Sequence, residues 1–250
     1  MARTGLVLAA AGAMLLPCAA FADPGPASEV YSPAVARGLA ELELRSGFLN
    51  GGDADADWQT KVEAGYGVTD WWRPAVVAEW EHAGDETDFT AFAVENVFDF
   101  TATRDWPVHL GGYVEYEWAK DGPDELEFKL LVQRQRGPLD LRLNLISTRL
   151  LSDAPDNGWE FGYAAQAVYA LNDDLAFGVQ GFGDAGTDDN FGLGDQAHYW
   201  GPFAQIEAAH FNDGELELQF GYLAGFGEAE ADGIFRVKLE YELGGHDTDD

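Results

Sequence analysis

The sequence predicts an all-β fold, a transmembrane antiparallel up-and-down β-barrel of about twelve strands. Three observations predict it. From Trp58 to Val68 every second residue suits lipid (Trp58, Val62, Ala64, Tyr66 and Val68, with Thr60 tolerable), while Gln59, Lys61, Glu63, Gly65 and Gly67 between them are polar or glycine. That length matches a tilted strand crossing a bilayer. The pattern recurs along nearly the whole chain, and the tryptophans cluster where such strands would leave the membrane. After Ala22 no apolar run approaches the length of about 18 residues that a membrane helix needs.

The N-terminus reads as a processing segment. Arg3 supplies a positive region, Leu6 to Leu16 an apolar stretch, and Ala20-Phe21-Ala22 an A-x-A cleavage signal. A cleaved signal peptide is therefore expected over 1–22. The apolar run is short and rich in Ala and Gly, which disfavours an uncleaved anchor. Cys18, the one cysteine, lies inside it; Leu15-Leu16-Pro17-Cys18 is similar to a lipoprotein processing box, but Pro before the Cys departs from that pattern. The mature chain then carries neither a disulfide nor a thiolate site. The remaining chain, about 228 residues, is one barrel or one large soluble domain. The expected organisation is a short periplasmic segment at 23–37, the barrel at 38–243 and an acidic periplasmic tail at 244–250. Asp and Glu number 45 against 14 Lys and Arg, a net charge of −31. Such acidity repels phosphate backbones, so no nucleic-acid partner is expected. It reflects either solvated acidic loops or an acidic lumen that favours cations.

The strands follow in order, punctuated by Gly, Asp, Asn and Pro clusters. The first, near Gly38–Phe48, sets Ala40, Leu42 and Leu44 against Glu41, Glu43 and Arg45. The second is Trp58–Val68. The third, Pro74–His82, turns Val76, Ala78 and Trp80 outward and Glu79 and Glu81 inward. The fourth, Phe89–Phe100, turns Phe92, Val94, Phe98 and Phe100 outward and Glu95 and Asp99 inward, with Asn96 interrupting the outward row. The fifth, Val108–Trp118, sets Val108, Leu110, Val114, Tyr116 and Trp118 against His109, Tyr113, Glu115 and Glu117. In the sixth, Glu125–Gln133, four apolar residues from Leu126 to Val132 oppose Glu125, Glu127, Lys129 and Gln133. In the seventh, Leu139–Thr148, four leucines oppose Asp140, Arg142 and Asn144. The eighth, Trp159–Leu171, has Trp159, Phe161, Tyr163 and Tyr169 outward, Glu160 and Gln166 inward. The ninth, Leu175–Asp184, sets Leu175, Phe177 and Val179 against Gln180 and Asp184. The tenth, His198–Ala208, sets Trp200, Ala204 and Ile206 against Gln205 and Glu207. The eleventh, Glu215–Phe226, sets Leu216, Leu218, Phe220 and Tyr222 against Glu217 and Gln219. The last, Ile234–Leu243, sets Phe235, Val237, Leu239, Tyr241 and Leu243 against Arg236, Lys238, Glu240 and Glu242.

Tight turns are expected at Thr69–Arg73, Arg136–Pro138, Asn172–Asp174 and Asn212–Gly214. They alternate with acidic loops at Asn50–Asp57, Ala83–Asp88, Lys120–Asp124, Ser152–Asn157, Ala185–Gln196 and Glu228–Asp232. Short turns on one rim and longer loops on the other is the bacterial barrel arrangement, and an even strand count returns both termini to the periplasm. This register puts Trp58, Trp80, Trp118, Trp159 and Trp200 outward at the loop rim, and Trp71, Trp72 and Trp106 at the turn rim, the interfaces where an amphipathic ring is most stable. The alternative, a soluble sandwich or lipocalin-like barrel, would turn the apolar rows inward. The number of aromatics, their place at strand ends and the strand lengths all count against it.

The chain resembles bacterial outer-membrane barrels grouped with the porin-like proteins of aromatic-degradation pathways. The residues that carry the resemblance are Glu63-Ala64-Gly65-Tyr66-Gly67-Val68-Thr69-Asp70 at one strand end and His198-Tyr199-Trp200-Gly201-Pro202 at the start of another. The last strand, ending Val237-Lys238-Leu239-Glu240-Tyr241-Glu242-Leu243, is similar to a C-terminal barrel-assembly signal, although Gly244–Asp250 follows it. The resemblance implies an outer-membrane location, insertion by the barrel-assembly machinery, contact with outer-membrane lipid and passage of small solutes.

Twelve strands fall between the eight that leave room only for side chains and the sixteen that leave an aqueous channel. No loop is long enough for a deep plug and Asp23–Ala34 is expected to be too short, so wall side chains should set the bore. Glu41, Glu43, Glu63, Glu79, Glu81, Glu95, Glu115, Glu117, Glu127, Asp140, Glu160 and Glu207 are the expected pore-lining acids, with the bases Arg45, Lys61, Lys129, Arg142, Arg236 and Lys238 and with His109 among them. Unpaired ions in a dry core cost several kcal/mol each, so the lumen must be wet or laced with ion pairs. A wet lumen makes a narrow channel for small cationic or neutral solutes; a fully paired one makes a closed structural or adhesive barrel. An outer-membrane lipid hydrolase needs Ser and His in contact on the lipid face. Ser147 lies on the seventh strand, whereas His82 and His198 lie on the third and tenth, so the chain is not expected to be an enzyme. Asp53-Ala54-Asp55-Ala56-Asp57 lacks the Gly and distal Glu of an EF-hand, so a solvated acidic loop is expected there, and neither a metal site nor a cofactor.

Overall fold

The computed structural model describes residues 25–104, 106–152, 158–194, 196–211 and 214–244. The expected signal peptide with Cys18, the tail beyond 244 and the tips at 153–157 and 212–213 lie outside them. Twelve antiparallel strands close on themselves, each paired with its sequence neighbours and β1 (Ala40–Asn50) paired with β12 (Gly233–Leu243). Between them run β2 (Trp58–Tyr66), β3 (Trp72–Ala83), β4 (Glu86–Asp99), β5 (His109–Ala119), β6 (Asp124–Arg136), β7 (Leu139–Leu151), β8 (Glu160–Asn172), β9 (Leu175–Thr187), β10 (Ala197–Phe211) and β11 (Gly214–Gly227).

The burial of this barrel is inverted relative to a soluble one. Leu42, Leu44, Phe92, Leu130, Leu143, Leu145, Phe177, Phe220 and Leu239 are exposed, while Glu43, Arg45, Glu63, Glu79, Glu95 and Glu115 are buried. The period-two alternation therefore turns the oily rows toward lipid and the charged rows toward the centre, the opposite of the soluble alternative. At two places polar side chains of the outer face are paired within the protein. Ser46 and Thr60 hydroxyls lie 2.8 Å apart across β1 and β2. Asn96, the interruption in the outward row of β4, accepts a 3.0 Å hydrogen bond from the Trp72 indole. Hydrocarbon offers no partner, so such atoms must be paired within the protein.

The ends carry the aromatic rings. Trp58 stacks on His82 (5.5 Å), Trp80 meets Phe89 edge-on (5.6 Å), and Trp118 stacks on Phe92 (6.0 Å). Trp159 packs on Phe128 and Trp200 on Tyr163. At the other rim Trp71 stacks on Phe98 and Arg104 covers Trp106.

Two connections differ from expectation. The acidic loop at Ala83–Asp88 is a two-residue turn, because β3 runs on to Ala83 and β4 restarts at Glu86 around Gly84 at φ 62°. Conversely, the turn rim carries a long connection at 100–108. Thr101 holds it by donating from its N (2.7 Å) and hydroxyl (2.9 Å) to Asp99, while its Oγ1 accepts from Leu110 N (3.2 Å).

The larger correction concerns the N-terminal segment. Residues 25–37, expected in the periplasm and too short to obstruct the lumen, run through the barrel interior. Gly38 sits at the turn rim, donating to Gly67 O, and Ala27 lies near the loop rim, donating to Gln59 (3.1 Å). Ala27, Val30, Tyr31 and Pro33 are buried. An extended chain gains about 3.3 Å per residue, so this stretch can cross a hydrocarbon layer of about 30 Å. It acts as a strap, where a globular plug would need many more residues. Glycines on the wall admit it: a Cβ at Gly47 would overlap the Pro26 carbonyl, and one at Gly111 would come within 2.6 Å of Pro33.

Leu145 sits in the middle of β7, 48% exposed on the lipid face. Leu145→Arg should destabilise the folded barrel by about 2–4 kcal/mol, measured by urea titration of folding into lipid vesicles; an unchanged midpoint would contradict the assigned outer face.

Candidate functional site

The site is the lumen, and the strap divides it. Asn144, on β7 and fully buried, clamps the strap backbone: its Oδ1 accepts from Tyr31 N (2.7 Å) and its Nδ2 donates to Tyr31 O (3.0 Å). The Tyr31 hydroxyl donates to Glu95 (3.0 Å) and accepts from Arg45 Nη1 (3.2 Å). Ser32 donates to Gln133 (2.9 Å). Glu29 binds Arg45 (2.5 Å) and Lys238 (2.9 Å). The strap's apolar side completes two dry clusters. Val30 packs with Ile146, Ala164, Phe182, Tyr199, Leu223 and Ile234. Tyr31 packs with Val97, Tyr113 and Leu131, and Lys129 Nζ lies over both tyrosine rings at 4.5 and 4.2 Å.

A chamber lies on each side of this waist. The one toward the loop rim has a volume of about 290 Å³ and is lined by eight acids (Glu29, Glu79, Glu81, Glu95, Glu115, Glu117, Glu125 and Glu127) against Arg45, Lys61 and Lys129. The one toward the turn rim has about 380 Å³ and is lined by seven acids (Glu29, Glu41, Glu43, Glu63, Glu217, Glu240 and Glu242) against Arg73, Arg142, Arg236 and Lys238. Ser28, Glu29 and Tyr31 line both, so the strap is the partition.

Strand register stacks the acids in rungs. Glu217, Glu240, Glu43 and Glu63 are successive cross-strand partners on β11, β12, β1 and β2. Two residues along, Gln219, Lys238, Arg45, Lys61 and Glu79 form the next rung. Like charges directly opposite repel, and here the basic rung compensates. Arg45 also meets Glu43 (2.8 Å) and Glu63 (3.1 Å), Lys238 meets Glu43 (3.2 Å) and Glu240 (2.6 Å), and Lys61 meets Glu79 (2.6 Å). Arg73 pairs with Glu41. On the loop-rim side Glu95, Glu115 and Glu127 form another acidic rung and Glu117 faces Glu125. Among the described residues Lys129, bound to Glu127 at 2.9 Å, is the one base that forms an ion pair with these acids.

The expected pore residues thus divide. Glu41, Glu43, Glu63, Arg142, Arg236 and Lys238 come together in the turn-rim chamber; Lys61, Glu79, Glu81, Glu95, Glu115, Glu117, Glu127 and Lys129 do so in the other, with Arg45 at the waist. Asp140 is occupied by Gln133 and Arg142. His109 is paired in register with Gln133 and lines neither chamber. Glu160 lines a recess at the loop rim and Glu207 one at the turn rim. Ser147, His82 and His198 stay apart: Ser147 lies between Phe128 and Phe161 in the sheet, His82 contacts Thr87 and His198 contacts Tyr163. Asp55 and Asp57 accept backbone hydrogen bonds from Gly51 (2.6 Å) and Gly84 (2.9 Å), the structural work of a loop. The alternation places Asn144 and Gln180 inward without marking them as site residues, and it gives no role to Glu29 or Tyr31. The available signal was Val30, Tyr31 and Val35, three apolar residues in a segment assigned to water.

No protein-family model and no curated protein matches the chain. Solved structures do. The NanC porin matches at TM-score 0.56 and 12% identity, over 81% of this chain and 99% of its own. An outer-membrane channel from Pseudomonas putida F1 matches at 0.57 and 13%, over 88% and 98%. The KdgM porin, solved in complex with disordered oligogalacturonate, matches at 0.56 and 7%, over 82% and 99%. At these identities the likeness is one of fold: the chain has the architecture of bacterial outer-membrane porin-like barrels.

Asn144→Leu removes both hydrogen bonds to Tyr31 and should loosen the strap by about 1–3 kcal/mol per orphaned group. In a Cys18→Ser, Ser28→Cys background, maleimide labelling should accelerate with Asn144→Leu while the folded band in unheated electrophoresis persists. Equal rates would mean that the clamp does not hold the strap.

Proposed function

We infer that the protein is a narrow passive channel of a bacterial outer membrane for small cationic or neutral solutes, with residues 25–37 as its internal constriction. The observation that supports it most directly is the set of stacked carboxylate rungs inside a barrel whose outside suits lipid. Glu117 and Glu125 face each other and have no ion pair among the described residues, so they are open to relief by water, by protons or by mobile cations. At an effective dielectric of about 20, one carboxylate at about 8 Å attracts a monovalent cation by about 2 kcal/mol. That exceeds thermal energy several-fold and survives partial screening, whereas anions meet the same field with opposite sign. Diffusion along such a path needs no cofactor and no catalytic group. The reading includes export through a signal peptide over 1–22 and insertion by the barrel-assembly machinery.

The buried strap favours a second reading, a structural or adhesive barrel shut at its waist. Planar-bilayer recording separates the two. The intact protein should show a small conductance with cation-selective reversal potentials, and deletion of residues 23–35 should raise the conductance several-fold. Anion preference, or silence even after the deletion, would defeat the channel. Silence of the intact protein with conduction by the deletion would make the shut barrel its native state.

A further inference from the structure

Two side chains of the turn-rim chamber, Arg236 and Gln180, present donors with no acceptor and have no ion pair among the described residues. Arg236 is 9% exposed and, alone among the inward bases of the described residues, forms no ion pair; its guanidinium lies 4.2 Å over the Phe182 ring and its Nη1 has no hydrogen-bond partner. Gln180 is 2% exposed and its Nε2 is likewise unpartnered. Phe182 lies two residues beyond Gln180 in the same inward row of β9, so the guanidinium over Phe182 and the amide belong to one wall of the chamber. Both groups line the same cavity of about 380 Å³, the size of a small-molecule site. Burying a cation or an amide without an acceptor is costly, and the group that best satisfies a guanidinium is a carboxylate.

The cavity is nevertheless acidic overall. Glu240 is engaged by Lys238, but Glu217 forms no ion pair among the described residues and receives a hydrogen bond from Gln205 (2.5 Å). A net anion would be repelled by it; a ligand that also carries an ammonium would be attracted. We propose that the turn-rim chamber is a binding site for a small zwitterion, an amino-acid-like solute whose carboxylate meets Arg236 and Gln180 and whose ammonium faces Glu217. This deepens the channel reading by naming a solute class, and it rests on that reading only for how the solute reaches the cavity.

Calorimetry on the full-length barrel in detergent tests it with three probes of one size: L-alanine (zwitterion), alaninamide (cation) and N-acetylalanine (anion). L-alanine should bind most tightly. Arg236→Met and Gln180→Leu should each weaken it by about tenfold or more, the loss of a charge-assisted hydrogen bond. Glu217→Gln should narrow its advantage over N-acetylalanine. Absence of L-alanine binding, equal binding by wild type and both variants, or tighter binding of N-acetylalanine would overturn the proposal. Should Arg236→Met fail to fold, Gln180→Leu and Glu217→Gln still decide it. Binding is read without current, so a barrel that conducts nothing can still bind the zwitterion, and a conducting barrel can fail to.

Discussion

The constraint on which the structure depends is that a barrel in lipid has only one place to put charge. Its outer face meets hydrocarbon, so every strand must turn its ionisable row inward. With antiparallel pairing in register, those rows meet as rungs. In this chain the register sets Glu opposite Glu at Glu43 and Glu63, at Glu115 and Glu127 and at Glu117 and Glu125. Cross-strand repulsion of this kind has to be relieved by bases, by protein hydrogen bonds, or by water and ions. The molecule uses a different remedy in each region. Around β1, β2 and β12 a rung of Lys238, Arg45 and Lys61 lies beside the acidic rung. Around β5 and β6 there is no such rung, and relief is left to the chamber.

The strap follows from the same constraint. Twelve strands enclose more space than their own side chains fill, and the inward rows are not wholly charged. Ile146, Phe182, Tyr199, Leu223 and Ile234 form an apolar wall on one side of the lumen. Left facing water it would forgo roughly 25 cal/mol for each Å² that could be covered. Val30 covers it, while Glu29 and Tyr31 on the same strap reach the charged side through Arg45, Lys238 and Glu95. The segment therefore matches both walls at once, which gives it a definite position instead of general stickiness.

The outer surface was legible in the sequence because lipid selects on a period of two and on interfacial tryptophan, both of them local patterns. Asn96 looked like an error in that pattern and proved to be the partner of Trp72. The strap is not legible from length, because a segment too short for a globular plug still crosses a bilayer when extended. Its traces were present in Val30 and Tyr31, and in inward positions such as Phe182 and Leu223, which the alternation assigned to a polar row although their side chains are oily. The ion pairs between distant segments lie beyond local pattern, unlike those two residues apart on one strand such as Lys129 with Glu127. Lys238 meets Glu43 only because β12 closes on β1, and Glu29 meets both Arg45 and Lys238 only because the strap passes between them.

If the barrel conducts as proposed, the partition shapes what can pass. Tyr31 and Tyr113 hold the Lys129 ammonium over their faces, and Arg45 is tied to three carboxylates at the same level. The waist is therefore lined by fixed positive groups, each already neutralised, between two chambers with acidic excess. On the proposed channel reading, a cation entering from the loop rim would gain energy in the first chamber, pass the paired charges of Arg45 and Lys129 at the waist, and gain again beyond it. Two wells separated by a neutral constriction concentrate cations without trapping them at one point, which conduction requires. The second well differs from the first in having Arg236 and Gln180 as free donors. On the binding proposal, a solute with both signs of charge would make contacts there that a simple cation cannot.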